Sequence, residues 1–266
     1  MNTLITGGYG FIGTNLSNQL YKRGDIICCP DRLNGVYQSY YSNVDVIYHL
    51  AAYSRVQGSN NPENKVFENN IKTLKDSLEL ARITKSKLIF TSTSYCIVDP
   101  NANYYAFSKH IGEELCQFYA KTYGVDVSVV RLFNVYGNQL SSYPEWKLGV
   151  VDRFLLDKRL GRGYTLNNSG EQRRDYIHVS DVCNALILIG EEQTNSEDIY
   201  EVGTGKLHSV NEIAKMIFGD IKPSEQKIAE GEIFESKSFG GIELTKKLGW
   251  EYKIKLEEYI KNYIKS

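Results

Sequence analysis

Residues 3–6 form a short apolar run that leads directly into Gly7-Gly8-Tyr9-Gly10-Phe11-Ile12-Gly13, and residues 11–22 follow with the periodicity of an amphipathic helix. A strand, a glycine turn and a helix in that order leave few folds open. Without Cβ atoms at Gly7, Gly10 and Gly13, backbone N–H groups and a helix N-terminus can close on an anion such as a pyrophosphate. The G-x-x-G-x-x-G spacing is a variant of the dinucleotide fingerprint, and it places Gly7, Gly10, Phe11, Ile12 and Gly13 against a cofactor. Gly24 and Asp25 end the helix; residues 26–29 read as a second, buried strand, and Asp31 follows 18 residues after Gly13. A carboxylate there accepts hydrogen bonds from adenosine ribose hydroxyls and repels a 2′-phosphate, which favours NAD. Arg32 beside it could instead accept that phosphate, so NADP stays open.

The alternation continues. Residues 44–50, 87–91 and 127–133 read as strands, and residues 64–83 and 104–123 as helices between them. Such a chain builds βαβ units, hence a parallel sheet covered by helices on both faces. From about residue 141 the alternation loosens, with helices expected over 150–160, 179–190, 210–217 and 256–265. The expected organisation is a dinucleotide-binding domain over 1–140 and a smaller lobe over 141–266, interleaved with the last sheet strands.

A formal net charge of −1 gives no electrostatic case for nucleic acid or an anionic membrane as partner. The first residues carry no basic stretch followed by an apolar run, and no apolar run reaches about 18 residues. The five cysteines are odd in number and show no C-x-x-C spacing, so reduced structural thiols in a cytoplasmic protein are expected, without a metal site.

Tyr105-Ala106-Phe107-Ser108-Lys109 lies on a predicted helix, which puts phenol and ammonium on one face at i, i+4. A phenol near its usual pKa of about 10 is a poor base at neutral pH. A nearby ammonium and a positive nicotinamide ring would both favour tyrosinate. In a chain with 20 tyrosines the spacing alone is weak, but Thr93 stands 12 residues upstream at a predicted strand end. Its hydroxyl could bond the substrate oxygen that Tyr105 deprotonates; Ser92 or Ser94 takes that place if the strand register differs.

Taken with His49-Leu50-Ala51-Ala52, Asn70, Arg131-Leu132-Phe133-Asn134-Val135-Tyr136-Gly137, Arg174-Asp175-Tyr176-Ile177-His178-Val179 with Asp181, and Leu248-Gly249-Trp250, these motifs span nearly the whole chain. In that order they resemble the extended short-chain dehydrogenase/reductases, and within them the NAD-dependent nucleoside-diphosphate-sugar epimerases, most of all the UDP-hexose 4-epimerases. The resemblance implies a Rossmann-type doubly wound sheet and a homodimer made through the helices over 64–83 and 104–123, where Leu74, Leu78, Leu115 and Phe118 could meet a two-fold partner. It also implies a catalytic set of Thr93, Tyr105 and Lys109. Leu50, Ala51, Ala52, Asn70, Phe133 and the Tyr105–Lys109 pair would line the NAD. Asn134 and Arg174 would hold the diphosphate of a nucleotide sugar, and Glu232 its ribose.

The chain also departs from that family. About a dozen residues separate Arg32 from Val44, where the family fits a helix and a further strand, so the sheet should be shortened at one edge with residues 26–29 outermost or flanked by a stub. The 4,6-dehydratases carry adjacent Asp and Glu after the catalytic threonine; Ser94 and Tyr95 stand there, which argues against dehydration. Ala229-Glu230-Gly231-Glu232 replaces an arginine three residues before an acidic one. The expected reaction is oxidation at C4 of a nucleotide sugar to a 4-keto intermediate and its re-reduction on the other face. The alternatives are a nucleotide-4-keto-sugar reductase using external NAD(P)H, and a cofactor-binding regulatory protein without turnover.

Overall fold

The computed structural model describes residues 1–30, 43–54, 60–61, 65–137, 139, 144–192, 199–227 and 242–265. The first half alternates as the pattern requires: β1 (Asn2–Thr6), α1 (Phe11–Arg23), β2 (Ile26–Cys28), β3 (Val46–His49), α2 (Val66–Thr84), β4 (Lys87–Thr93), a one-turn α3 (Tyr95–Val98), α4 (Tyr104–Tyr123), β5 (Val127–Leu132) and β6 (Asn134–Tyr136). Then come α5 (Val150–Arg159), β7 (Thr165–Asn167), β8 (Arg173–His178), α6 (Val179–Glu191), β9 (Ile199–Val202), β10 (Leu207–Ser209), α7 (Val210–Phe218), β11 (Glu225–Lys227), α8 (Ile242–Leu248) and α9 (Leu256–Lys265).

The main sheet is parallel throughout, in the order β2-β1-β3-β4-β5-β9. Its central strand β4, Lys-Leu-Ile-Phe-Thr-Ser-Thr, is buried at all seven positions, as a strand roofed by helices on both faces must be. On one face α1 and α6 pack together, burying Leu16, Leu20, Val182, Leu186 and Ile189; on the other, α2 and α4 bury Leu74, Leu78, Cys116 and Tyr119. Asn103 caps α4, its side-chain oxygen accepting from the Ala106 N–H at 2.8 Å, and fixes where the helix begins. Among the described residues β2 is the outermost strand on its side; the chain over 31–42, where the shortened connection falls, lies outside them. The expectation of a buried second strand is corrected: Ile26 is 72% exposed, and Cys28 and Cys29 are only partly covered.

The second half serves two bodies. Its β9 and α6 complete the main sheet, and Leu244 of α8 and Trp250 join the same core as α1. Its own lobe sets α5, α7 and α9 around a separate core of Phe154, Tyr164, Ile213, Ile217 and Ile260, beside the three-stranded sheet β10-β8-β6. The fully buried Asp175 on β8 bolts the two together: it accepts from Thr204 N–H at 2.8 Å, Thr204 Oγ1 at 2.7 Å and Gly205 N–H at 2.8 Å, just beyond β9.

Candidate active site

A cleft of about 1120 Å³ runs across the carboxyl ends of β1, β3, β4 and β5 and on to β8, the side on which open α/β sheets bind ligands. At one end lies the glycine turn. Gly7 holds φ +72°, and a Cβ there would meet the Ala51 amide nitrogen at 2.8 Å; a Cβ on Gly13 would meet the Gly7 carbonyl oxygen at 2.2 Å. The close approach of turn, helix and the Leu50–Ala51 backbone therefore tolerates glycine only. Helix α1 has no side-chain cap and no acidic residue in its first turn, so its positive N-terminal end meets the cleft wall formed by Gly10, Phe11 and Ile12 with no protein carboxylate there. This cradle fits a dinucleotide diphosphate.

Leu50, Ala51 and Ala52 form the facing wall. Behind it, the His49 Nδ1 sits between Thr6 Oγ1 at 3.0 Å and Ser77 Oγ at 2.8 Å, and Thr6 Oγ1 also accepts from the Ala51 N–H at 3.4 Å. Burial, reinforced by the Lys109 charge, pushes His49 down to about 3, so the latch is neutral. Asn70 braces the same wall: it accepts from the Tyr53 N–H at 2.8 Å and donates to Ser108 Oγ at 2.9 Å, which ties the wall to α4.

Thr93, Tyr105 and Lys109 meet at the floor. Ser92, Thr93 and Ser94 all border the cleft; the Thr93 hydroxyl accepts from the Tyr95 N–H at 3.4 Å and stands near the Tyr105 phenol, while Ser92 donates to Glu113 on α4. Burial drives Tyr105 well above the usual phenol range, and the Thr93 bond pulls it part of the way back. Lys109 does not bond the phenol. Its Nζ donates to the Thr91 carbonyl at 2.7 Å and lies 4.7 Å from the centre of the Phe90 ring. Burial lowers its pKa to about 8, against upward pulls from Cys96, Cys116 and Glu113. The expected help from the ammonium to the tyrosinate is thus outweighed by burial in the protein alone, and a bound positive ring is left to supply the remainder.

Phe133 and Asn134, at the β5–β6 junction, line the next stretch, followed by Arg174 on β8. Arg174 and Tyr176 share one face of β8 and line the cleft together with Gln172, just before the strand, while Asp175 points the other way to its bolt. The period-2 alternation around Arg174 was a signal that could have found Gln172 and Tyr176. Trp146 and Lys147 also line this end from a single 3-10 turn, Glu145–Lys147, which no periodicity marks. Tyr95, noticed in the sequence only as a departure, lines the floor beside Tyr105. Asp31, Arg32 and Glu232 lie outside the described residues. Among the described residues there is no His, Cys, Asp and Glu cluster able to hold a metal ion, and no helix is long and apolar enough to cross a membrane.

Comparison with known proteins agrees with this geometry. Residues 3–203 match the model of the NAD dependent epimerase/dehydratase family. The chain is 28% identical to a putative UDP-glucose 4-epimerase of Methanocaldococcus jannaschii, over 98% of this chain and 96% of the relative. It is 29% identical to a UDP-N-acetyl-alpha-D-glucosaminuronate decarboxylase of Bacillus cytotoxicus, over 80% of this chain and 78% of that one. Among solved structures, the UDP-glucose 4-epimerase of Thermotoga maritima with UDP-glucose superposes with a TM-score of 0.87 at 27% identity, covering 100% of this chain and 99% of the other.

Proposed function

The chain belongs to the NAD dependent epimerase/dehydratase family, and from that premise we propose that it is a nucleotide-sugar 4-epimerase acting on a UDP-hexose. The observation that carries the reading is the placement of Thr93, Tyr105 and Lys109 between two anion-binding ends of one cleft, the glycine turn and the Arg174 strand. One end fits a dinucleotide and the other a second diphosphate, so the floor lies where a sugar and a nicotinamide meet.

NAD, which the glycine turn, Leu50–Ala52 and Phe133 would hold, would supply a reversible hydride acceptor with no net redox change. Thr93 holds the substrate C4 oxygen beside Tyr105. Tyr105 takes the hydroxyl proton as the C4–H bond breaks and the C4–O double bond forms. Lys109 keeps a positive charge beneath the site, which favours the tyrosinate before the step and leaves a phenol ready to return the proton after it. Arg174 and Asn134 grip the diphosphate, and the fork of donors on Arg174 suits that group. A firm grip there and few contacts to the sugar allow the 4-keto ring to turn and accept hydride on its other face.

A second reading has one specific support: decarboxylases of UDP-sugar acids are among the relatives, and decarboxylation can begin with the same C4 oxidation. Incubating the protein with UDP-, dTDP-, GDP- and CDP-sugars, uronates included, and following products by NMR separates the cases. Interconversion of C4 epimers without added reduced cofactor is expected. Release of carbon dioxide establishes the decarboxylase, net consumption of NAD(P)H a reductase, and binding without turnover a regulatory protein.

The proposal extends to a two-fold dimer through α2 and α4, with Phe118 the one residue of those first expected that stays on the outer face. Leu74 and Leu78 are buried against their own sheet and Leu115 packs beside them, while Phe118 and Tyr123, each 51% exposed, and Ile83, 41% exposed, are left on the outer face. The five free thiols support a reducing, cytoplasmic setting.

A further inference from the structure

Beneath the catalytic floor lies a row of buried and half-buried polar residues that the proposed chemistry does not use. In the register of the main sheet Ser92 on β4 pairs with Arg131 on β5, and Arg131 with Glu201 on β9. The three stand side by side, one residue before Thr93, Leu132 and Val202. Glu113, on α4, closes down on this row. Its Oε1 accepts from Ser92 Oγ at 2.5 Å and from Arg131 Nε at 2.9 Å, and its Oε2 accepts from Arg131 Nη2 at 2.7 Å. The Glu113 side chain is 4% exposed and that of Arg131 20%, so the bidentate pair is largely withdrawn from water. Glu113 follows Lys109 by one helical turn and Tyr105 by two. Both strands it grips run straight into the site, β4 ending at Thr93 and β5 leading to Phe133 and Asn134.

We propose that Glu113, clamped by Ser92 and Arg131, is a positioning residue for the Tyr105–Lys109 pair: it fixes α4 against the ends of β4 and β5 and holds a carboxylate one helical turn from Lys109. The groups facing Lys109 are few. From its own helix come Tyr105, Glu113 and Cys116; from α3 comes Cys96, from β3 His49, and from β4 the Phe90 ring and the Thr91 carbonyl. His49 is held neutral by burial. Burial likewise pushes Cys96 up to about 11 and Cys116 beyond the usual thiol range, so neither carries charge at neutral pH. Of the groups that hold Lys109 up, Glu113 is therefore the one with a formal charge, and it works against the desolvation of a fully enclosed ammonium. A buried pair that only stapled the helix could be replaced by apolar packing without loss. A pair that also sets the charge of Lys109 could not.

This inference rests on the reading in which Lys109 works as a cation, and its test stands apart from turnover. The NAD-loaded protein is prepared with ¹³C-labelled lysine, the Lys109 signal is assigned through Lys109→Arg, and its titration is followed in the wild type, Glu113→Gln, Glu113→Asp and Arg131→Gln. Glu113→Gln keeps the hydrogen-bonding shape without the charge and is expected to lower the Lys109 midpoint by about half a unit or more. Glu113→Asp should restore it, and Arg131→Gln, which unmasks the carboxylate, should raise it. With a turned-over sugar, the alkaline limb of kcat/KM should move with the midpoint, because activity is lost as Lys109 gives up its proton. An unmoved midpoint in Glu113→Gln, even with reduced turnover, overturns the proposal. If that variant fails to fold, Arg131→Gln decides with the opposite sign, and an unmoved or lowered midpoint there overturns it too. Absence of turnover on every nucleotide sugar would overturn the epimerase reading and leave the titration result standing.

Discussion

The two ends of the cleft reach similar chemistry by different construction. At the floor each working group sits on a regular element, and the cofactor end is framed by them: the glycine turn joins β1 to α1, Leu50–Ala52 follow β3, Thr93 ends β4, and Tyr105 and Lys109 ride on α4, whose start Asn103 fixes. At the substrate end, by contrast, Trp146 and Lys147 come from a three-residue turn. Its neighbourhood is shaped by the buried Asp152, which accepts from the Gly137 and Gln139 N–H groups at 3.1 and 3.3 Å, and by Gln139, which accepts from the Gly149 N–H at 2.9 Å. Helix and strand frames hold reacting atoms to the tolerance that proton and hydride transfer require. A turn held by side-chain bonds, beside Arg174 on β8 and Asn134 on β6, suits the gripping of a nucleotide, where small displacements cost affinity rather than rate.

The largest effect expected from this contrast is at the floor. Tyr105→Phe removes one oxygen from a rigid frame, so turnover should fall by roughly 10²–10⁴-fold while NAD affinity and melting temperature stay near wild type. Arg174→Gln, at the gripping end, should act chiefly on KM. Steady-state kinetics with calorimetric NAD binding checks both. Near-normal turnover in Tyr105→Phe would remove the phenol from the mechanism, and an Arg174→Gln loss confined to kcat would break the contrast between the two ends.

What could be read in the sequence follows the same line. Wherever period and turn chemistry agree, as from residue 104 to 123, the helix emerges with the ends the pattern predicted. The proposed catalytic set could be named from the sequence because i, i+4 spacing and a strand end are local facts. The Glu113–Arg131–Ser92 clamp was not, because Ser92 and Arg131 become neighbours only when β4 and β5 pair. Nor was Asn70, whose polar side chain fits either a ligand or a brace until its partners are known. The partial exposure of Cys28 and Cys29 was hidden too, since an apolar run does not say whether both flanks of its strand are covered.

The next effect concerns the two tryptophans, which sort the late chain between the two constructions. Trp250 is 5% exposed, packs in the core of α1 and α6, and donates from Nε1 to the Asp181 carbonyl at 3.3 Å. Trp146 is 58% exposed on its turn. Trp250→Ala should therefore cost about 3–5 kcal/mol of stability, and Trp146→Ala no more than about 0.5 kcal/mol, by urea unfolding. Equal costs would mean that the segment after α8 is an appendage rather than part of the main core.

The smallest effect is a slope, and it tests whether the cofactor wall is the acid-labile part of this frame. His49 is held neutral between Thr6 and Ser77, with burial first and the Lys109 charge second in pushing its pKa down to about 3. In the unfolded chain a histidine titrates near 6.5. A depressed folded value means that the unfolded state takes up the proton first, so the stability this latch contributes is present above pH of about 6.5 and is lost as pH falls from there toward the folded value. Over that window one proton of difference corresponds to at most about 1.4 kcal/mol per pH unit. His49→Gln should be less stable than wild type at pH 8, by about 1 kcal/mol for the lost hydrogen bonds, yet its stability should decline less steeply between pH 6.5 and 5. The curves therefore converge on the acid side. Urea midpoints collected across that range measure the difference, and because His110, His178 and His208 are common to both proteins their contributions cancel. Parallel curves would show that the proton enters elsewhere, and that the wall behind Leu50–Ala52 is no weaker to acid than the rest of the sheet.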